Sequence, residues 1–252
     1  MYDYYLGGTH NFPIDRQAAE AVIALSPDAA IGAQLNRAFL GRAVEFLCAQ
    51  GIDQFLDIGS GMPTSGNVHE IAQAVNPQAK VIYVDVDPVT VLHSQAILRI
   101  NGVTNAAAIQ GDMRQPEQVL SHPDVQNILD FNRPVAVLLV AILHFVPDDT
   151  TAAHIMQQLH ATVTPGSYFA ISHATSDHIP PELLAKAEAI YAKSTNPLRF
   201  RPSSEIKGFF DGMELVDPGV VYVPRWRPRS PDDTLHDQPE RSAVLAGVAR
   251  KT

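Results

Sequence analysis

Gln54-Phe55-Leu56-Asp57-Ile58-Gly59-Ser60-Gly61 is the stretch that decides the fold. Its first five residues form an apolar run of strand length, Gly59-Ser60-Gly61 turns the chain sharply, and residues 67–75 resume helical spacing until Asn76-Pro77. The same strand-turn-helix grammar continues outward. Residues 80–84 predict a second strand with Asp85 at its carboxyl end, and 88–100 a second helix with Pro88 in its first turn. Residues 106–110 predict a third strand, followed by Gly111-Asp112-Met113. The Val- and Leu-rich run 134–143 reads as a central parallel strand covered on both faces, 149–163 as its crossover helix and 168–172 as a fifth strand. Strands alternating with helices imply a parallel sheet whose ligand lies beyond the strand carboxyl ends.

The flanks are less regular. Residues 2–12 crowd aromatic rings around Gly7-Gly8 without strand or helix periodicity, whereas 15–25 and 29–50 carry helical patterns. Beyond Ser172, helices are predicted at 181–194 and 203–210, with Ser203 as N-cap. Residues 219–223 and 243–249 read as an antiparallel hairpin around a long, mobile loop, 224–239. The expected fold is therefore α/β: a doubly wound, mostly parallel seven-stranded sheet with helices on both faces and a C-terminal antiparallel hairpin. All 252 residues are read as one domain, with a helical cap or lid at 1–50, a core at 51–175, and substrate-side helices plus the hairpin at 176–252.

Composition narrows the function. The net charge of −9 comes with no block of Lys or Arg, which argues against nucleic acid as a partner. Cys48 is the only cysteine, so no internal disulfide forms, and a small core residue in a reducing cytoplasm is the expected setting. Residues 134–146 form the longest apolar stretch, shorter than the roughly 20 residues of a membrane span. Tyr2-Asp3-Tyr4-Tyr5 after Met1 has none of the features of a secretory leader.

Three acids at successive strand ends carry the chemistry. Asp57 sits inside a strand, a costly place for a carboxylate unless a ligand donor meets it. Asp85 is placed to accept both hydroxyls of a ribose, and Asp112 an amino group of a base while the Met113 thioether packs on the ring. With the glycine turn these describe a nucleoside site. Thr64 stands where a dinucleotide fingerprint needs glycine, and a phosphate-binding Gly-Lys-Ser/Thr is absent. Asp57 would repel a pyrophosphate and attract the cationic amino acid end of S-adenosylmethionine. That sign favours the sulfonium cofactor over NAD.

Asp57-Ile58-Gly59-Ser60-Gly61 resembles motif I of the Rossmann-like S-adenosylmethionine methyltransferases, with Asp85 the ribose acid and Asp112-Met113 the adenine contact. Tyr2-Asp3-Tyr4-Tyr5-Leu6-Gly7-Gly8, Asn67-Val68-His69-Glu70, Tyr83-Val84-Asp85-Val86-Asp87-Pro88, Leu143-His144-Phe145, Pro165-Gly166-Ser167-Tyr168 and Trp226-Arg227-Pro228 further resemble a family of methyltransferases common in actinobacteria, whose acceptor is undefined. Pro63 departs from the pattern, standing where many methyltransferases carry a third glycine. The resemblance implies cofactor contacts from Asp57, Gly59, Ser60, Gly61, Asp85, Val86, Asp112, Met113 and Ala141, and a lid contributed by Tyr4, Gly7, Gly8 and Asn11. His144, past the fourth strand, is the candidate general base, with His173 a second; Arg199 and Arg201 are candidates to hold a substrate carboxylate. No metal is expected. The expected activity is methyl transfer to a small-molecule acceptor, against the alternatives of a non-catalytic cofactor sensor or, third, an NAD-dependent oxidoreductase.

Overall fold

A computed structural model describes residues 1–63, 66–192, 197–230 and 235–252. In chain order the helices are α1 (Tyr2–Tyr5), α2 (Pro13–Leu25), α3 (Ala29–Ala49), α4 (Val68–Val75), α5 (Pro88–Ile100), α6 (Pro116–Leu120), α7 (Pro123–Ile128), α8 (Asp149–Thr162), α9 (Pro181–Tyr191) and α10 (Ser203–Gly208). The strands are β1 (Gln54–Ile58), β2 (Lys80–Asp85), β3 (Ala106–Gln110), β4 (Ala136–Val140), β5 (Tyr168–Ala174), β6 (Met213–Leu215), β7 (Val221–Tyr222) and β8 (Val244–Lys251). Their order across the sheet is β3-β2-β1-β4-β5-β8-β6, with β7 also paired to β8. The first five are parallel, and β8 joins them antiparallel to β5.

The chain runs outward from β1 through β2 to β3, then crosses back to place β4 on the other side of β1. This reversal opens a crevice at the carboxyl ends of β1 and β4. Strand residues alternate between two apolar clusters, one on each face. Phe55, Val81 and Leu138 pack with Phe39, Leu47 and Ala72 of α3 and α4, whereas Leu56, Ile82 and Leu139 pack with Val119, Val125 and Ile155 of α6, α7 and α8. Because the period is two, Asp57 lies on the Phe55 side and faces α3. The doubly wound sheet thereby aims a carboxylate at that helix.

Several local expectations are revised. The apolar run 134–143 is not all strand: pairing stops at Val140, Ala141 adopts a left-handed φ of 57°, and Leu143–Phe145 forms a separate helical turn. The helix read from Ser203 starts one residue earlier in its capping, with Pro202 at the N-cap. The aromatic N-terminus contains α1, and α6, α7 and β6, each six residues or fewer, escaped the periodicity reading. β6 is the eighth strand. The predicted end of α9 at 194 and the residue Thr64 lie outside the described residues.

Of the loose loop expected at 224–239, residues 231–234 lie outside the described residues, and 224–230 are held in place. Trp226 is fully buried, edge-on to Phe39 and Phe46 at 5.2 and 5.9 Å between ring centres. Arg42 of α3 donates to the carbonyls of Trp226 at 2.9 Å and Val223 at 2.7 Å, fastening the segment to α3. Among the described residues no helix is long and apolar enough to cross a membrane. Trp226→Ala should cost about 3–5 kcal/mol of unfolding free energy in urea titrations. A loss near zero would mean that this anchor does not hold the segment.

Candidate cofactor and acceptor cavity

The crevice at the reversal is the floor of a cavity of about 700 Å³. β1 and β4 supply the centre of that floor. Gly59 has φ +74°, and a Cβ there would meet Ile142 Cγ1 at 2.3 Å and Cβ at 2.9 Å. Glycine is therefore demanded twice, by conformation and by the turn after β4 pressing on it. Gly61 has φ +67° with open space where a Cβ would stand.

Asp85 holds this loop. Its carboxylate accepts from the Gly61 N–H at 2.8 Å and from the Asp87 N–H at 3.0 Å, while the Val84 carbonyl accepts from the N–H groups of Gly59 and Ser60. Burial raises the Asp85 carboxyl and these backbone donors oppose the rise. Asp57 is in a harsher setting. It is 4% exposed, lines the cavity, and receives no hydrogen bond from the described residues. Burial pushes its carboxyl up to about 7; the positive charge of Arg37 opposes this and Asp85 adds to it. Arg37, which the sequence reading passed over, lines the same cavity and donates to the Gly66 carbonyl at 3.1 Å. Its only sequence signal was position: two turns into α3, on the face toward the sheet.

Asp112 and Met113 reach the cavity beyond β3, together with the half-exposed Val86. Asp112 is already engaged, since Arg114 Nε reaches Oδ1 at 2.8 Å and Arg114 Nη2 reaches Oδ2 at 2.7 Å. That hydrogen bonding holds its carboxyl below the usual carboxylate range. An adenine amino group would share the acid with Arg114.

The N-terminal segment covers the cavity with different residues from those expected. Met1, Tyr2, Asp3, Tyr5 and Leu6 line it, whereas Tyr4, Gly7, Gly8 and Asn11 do not. The Tyr4 hydroxyl instead donates to Glu20, and the Asn11 amide bonds Asp3 and the Gly8 carbonyl, closing the turn that orients α1. A Cβ at Gly8 would stand 2.0 Å from Asp3 Oδ1, so a side chain there would displace the carboxylate that Asn11 holds.

One relay ties this cover to the floor. The Ala141 N–H donates to Ser172 Oγ at 2.9 Å, Ser172 Oγ–H to Asn36 Oδ1 at 2.5 Å, Asn36 Nδ2 to the Tyr2 hydroxyl at 2.9 Å, and that hydroxyl to the Ala33 carbonyl at 3.1 Å. All the bonds point the same way, so each polarises the next. Ala141 lines the cavity at the head of this relay.

His144 also lines the cavity, but its geometry does not suit a base. The Ala174 N–H donates to His144 Nδ1 at 3.3 Å, so the neutral ring carries its proton on Nε2. Burial, then His173 and Arg201, hold its pKa well below the ordinary histidine value. His173 is turned away from the cavity, between the Ala174 carbonyl at 2.7 Å and Arg201 Nη1 at 2.9 Å. Arg201 is 1% exposed and donates to the carbonyls of Leu143 and Val146, bracketing the turn that carries His144. Arg199 pairs with Asp149 and Glu205. The two arginines are thus structural rather than holders of a substrate carboxylate. Among the described residues no group of three His, Cys, Asp or Glu side chains is placed to hold a metal.

Two substitutions separate these constraints. Gly59→Ala should cost about 2–4 kcal/mol and Gly61→Ala about 1 kcal/mol in urea unfolding, because only Gly59 combines strain with collision. Equal losses would refute the role given to Ile142. Asn36→Leu should cost about 1–3 kcal/mol by stranding the Ser172 and Tyr2 hydroxyls, and should raise amide exchange in α1; unchanged exchange there would break the proposed link between cover and floor.

Comparison with known proteins accords with this geometry. A family profile described as S-adenosyl methyltransferase matches residues 1–252. The chain is 38% identical to a candidate methyltransferase from Thermobifida fusca, with a TM-score of 0.92 over 100% of this chain and 93% of that one. It is also 38% identical to a DUF574 family protein from Streptomyces avermitilis, at TM-score 0.92 over 100% and 95% of the two chains. Human N-acetylserotonin methyltransferase in complex with S-adenosylmethionine shares the fold at 15% identity and TM-score 0.51, over 100% of this chain and 62% of that one. No curated protein matches the chain. The match along its full length shows that this chain belongs to the S-adenosyl methyltransferase family.

Proposed function

We propose that this protein binds S-adenosylmethionine and transfers its methyl group to a small-molecule acceptor. The observation that carries this reading is Asp57, a carboxylate buried inside a strand, without a donor among the described residues, facing a cavity. Such a group gains most from a ligand cation that supplies hydrogen bonds. With the Arg37 guanidinium beside it, Asp57 forms a pair of opposite charges matched to an ammonium and a carboxylate on one carbon, which is the amino acid end of the cofactor.

The remaining roles follow from position. Asp85 keeps lone pairs for ribose hydroxyls while its backbone donors fix its orientation, and Val86 and Met113 offer apolar surface to a base. The open face of Gly61 lets a ligand reach the loop backbone. The bound cofactor supplies a methyl carbon on a sulfonium sulfur. What the protein must add is an aligned acceptor in a site closed to water. His144, neutral and protonated on Nε2, serves there as a hydrogen-bond donor that orients the acceptor, not as the group that takes its proton. The segment 176–252 forms the acceptor side, and the helical cap at 1–50 covers the cavity and supplies Arg37 to its cofactor end.

Calorimetry with S-adenosylhomocysteine tests the carrying observation. In the free protein Asp57 holds a proton below about pH 7, and the ligand ammonium requires the ionised carboxylate. Binding must therefore expel the proton at lower pH, so the affinity should fall roughly tenfold for each unit below about pH 7 and level off above it. Asp57→Asn should weaken binding by roughly tenfold or more and remove the pH dependence. Wild-type binding that does not vary with pH between about 5.5 and 7 would sink the assignment.

A further inference from the structure

The cavity is larger and chemically more divided than a nucleoside site requires. All three acids of the strand ends, with Arg37 and Arg114, lie at one end. The other end is walled by α9, whose Leu183, Leu184, Ala187 and Tyr191 fall on one helical face and line the cavity, with Val22 and Leu25 of α2 beside them. α9 has an apolar stripe but no fully buried residue. In a helix packed wholly on protein such a stripe would be covered; here it borders open space that is continuous with the cofactor end.

Charge says what fits that space. Arg37, Arg114 and Arg241 are the lysines and arginines lining the cavity among the described residues. The first two belong to the acidic end. Arg241 is spent in a two-pronged pair with Asp28, both contacts at 2.8 Å. The Met1 ammonium is 3.5 Å from Asp15. Arg199 and Arg201 lie outside the cavity, held by Asp149 and Glu205. Against these cations stand Asp3, Asp15, Asp28 and Glu240 in the lining, in a chain of net charge −9. A carboxylate or phosphate entering beside α9 would lose its hydration and meet no available Lys or Arg side chain among the described residues there, leaving only the single charge of the cofactor sulfonium to offset the loss. The polar groups lining that end include the hydroxyls of Tyr5 and Tyr191, both raised by burial, and the rings of His144 and His178.

We propose that the acceptor is an apolar small molecule without carboxylate, sulfate or phosphate, seated against the Leu183, Leu184, Ala187 and Tyr191 face of α9. This rests on the methyl-transfer reading above and adds the acceptor class to it. The test uses protein saturated with S-adenosylhomocysteine and three matched pairs of probes: indole with indole-3-carboxylate, 2-naphthol with 2-naphthoate, and octanol with octanoate. In at least one pair the neutral member should bind at least about tenfold more tightly than the acid. Leu184→Asp should weaken that binding by at least about tenfold, with S-adenosylhomocysteine affinity unchanged, and Leu184→Met should retain it. The proposal is overturned if no pair shows that preference, if no probe binds, or if Leu184→Asp behaves as wild type. Absence of S-adenosylhomocysteine binding in the first titration would instead overturn the cofactor reading, so the two failures are distinct.

Discussion

Everything at the site depends on how closely two neighbouring strands end. β1 and β4 lie side by side, and the chain leaves them in different directions because the winding reverses there. The turn after β4 pushes Ile142 into the space that any side chain at position 59 would need. The loop after β1 is thereby held against the floor in a left-handed conformation, and its next N–H groups fall to Val84 and Asp85 of the adjacent strand. A larger residue at 59 would lift the loop and misplace Asp57 and Asp85 together.

Charge then sorts what the cavity can accept. Asp57 is desolvated without a hydrogen-bond donor among the described residues, Asp112 is engaged by Arg114, and Asp85 is intermediate between them. Three carboxylates that look alike in sequence therefore differ in what they lack. Only Asp57 stands to gain a complete set of partners from a ligand. The acid without a described donor faces the cavity, and the paired one fixes the shape of the loop beside it.

Much of this was legible in the chain because it rests on short-range rules. The five parallel strands and their crossover helices announced themselves through periodicity, and the acids at three strand ends through their position. Arg37, Asn36 and Ser172 were hidden because their roles exist only after α3 crosses the sheet, when residues 136 positions apart become hydrogen-bond partners. The N-terminal segment lines the cavity through other residues than those expected: in α1, Tyr2 and Tyr5 face it and Tyr4 turns away, and Gly7, Gly8 and Asn11 lie beyond that helix. Arg201 and His173 misled because a charged or titratable residue near a strand end reads the same whether it meets solvent or braces a turn. Residues 224–230 misled through composition, since Pro and Arg suggest mobility while Trp226 anchors the chain.

β8 pairs with β5, β6 and β7, and it is synthesised after all three. Until it emerges, the fully buried β5 has an open edge carrying Phe169, Ile171 and His173. The cavity also lacks Val244 and the Arg241 pair that closes on Asp28. A growing chain can therefore assemble β1 to β5 and yet present an adhesive strand edge to its neighbours. The partner of that edge and the last of the cavity lining arrive together, when one late strand inserts into the sheet.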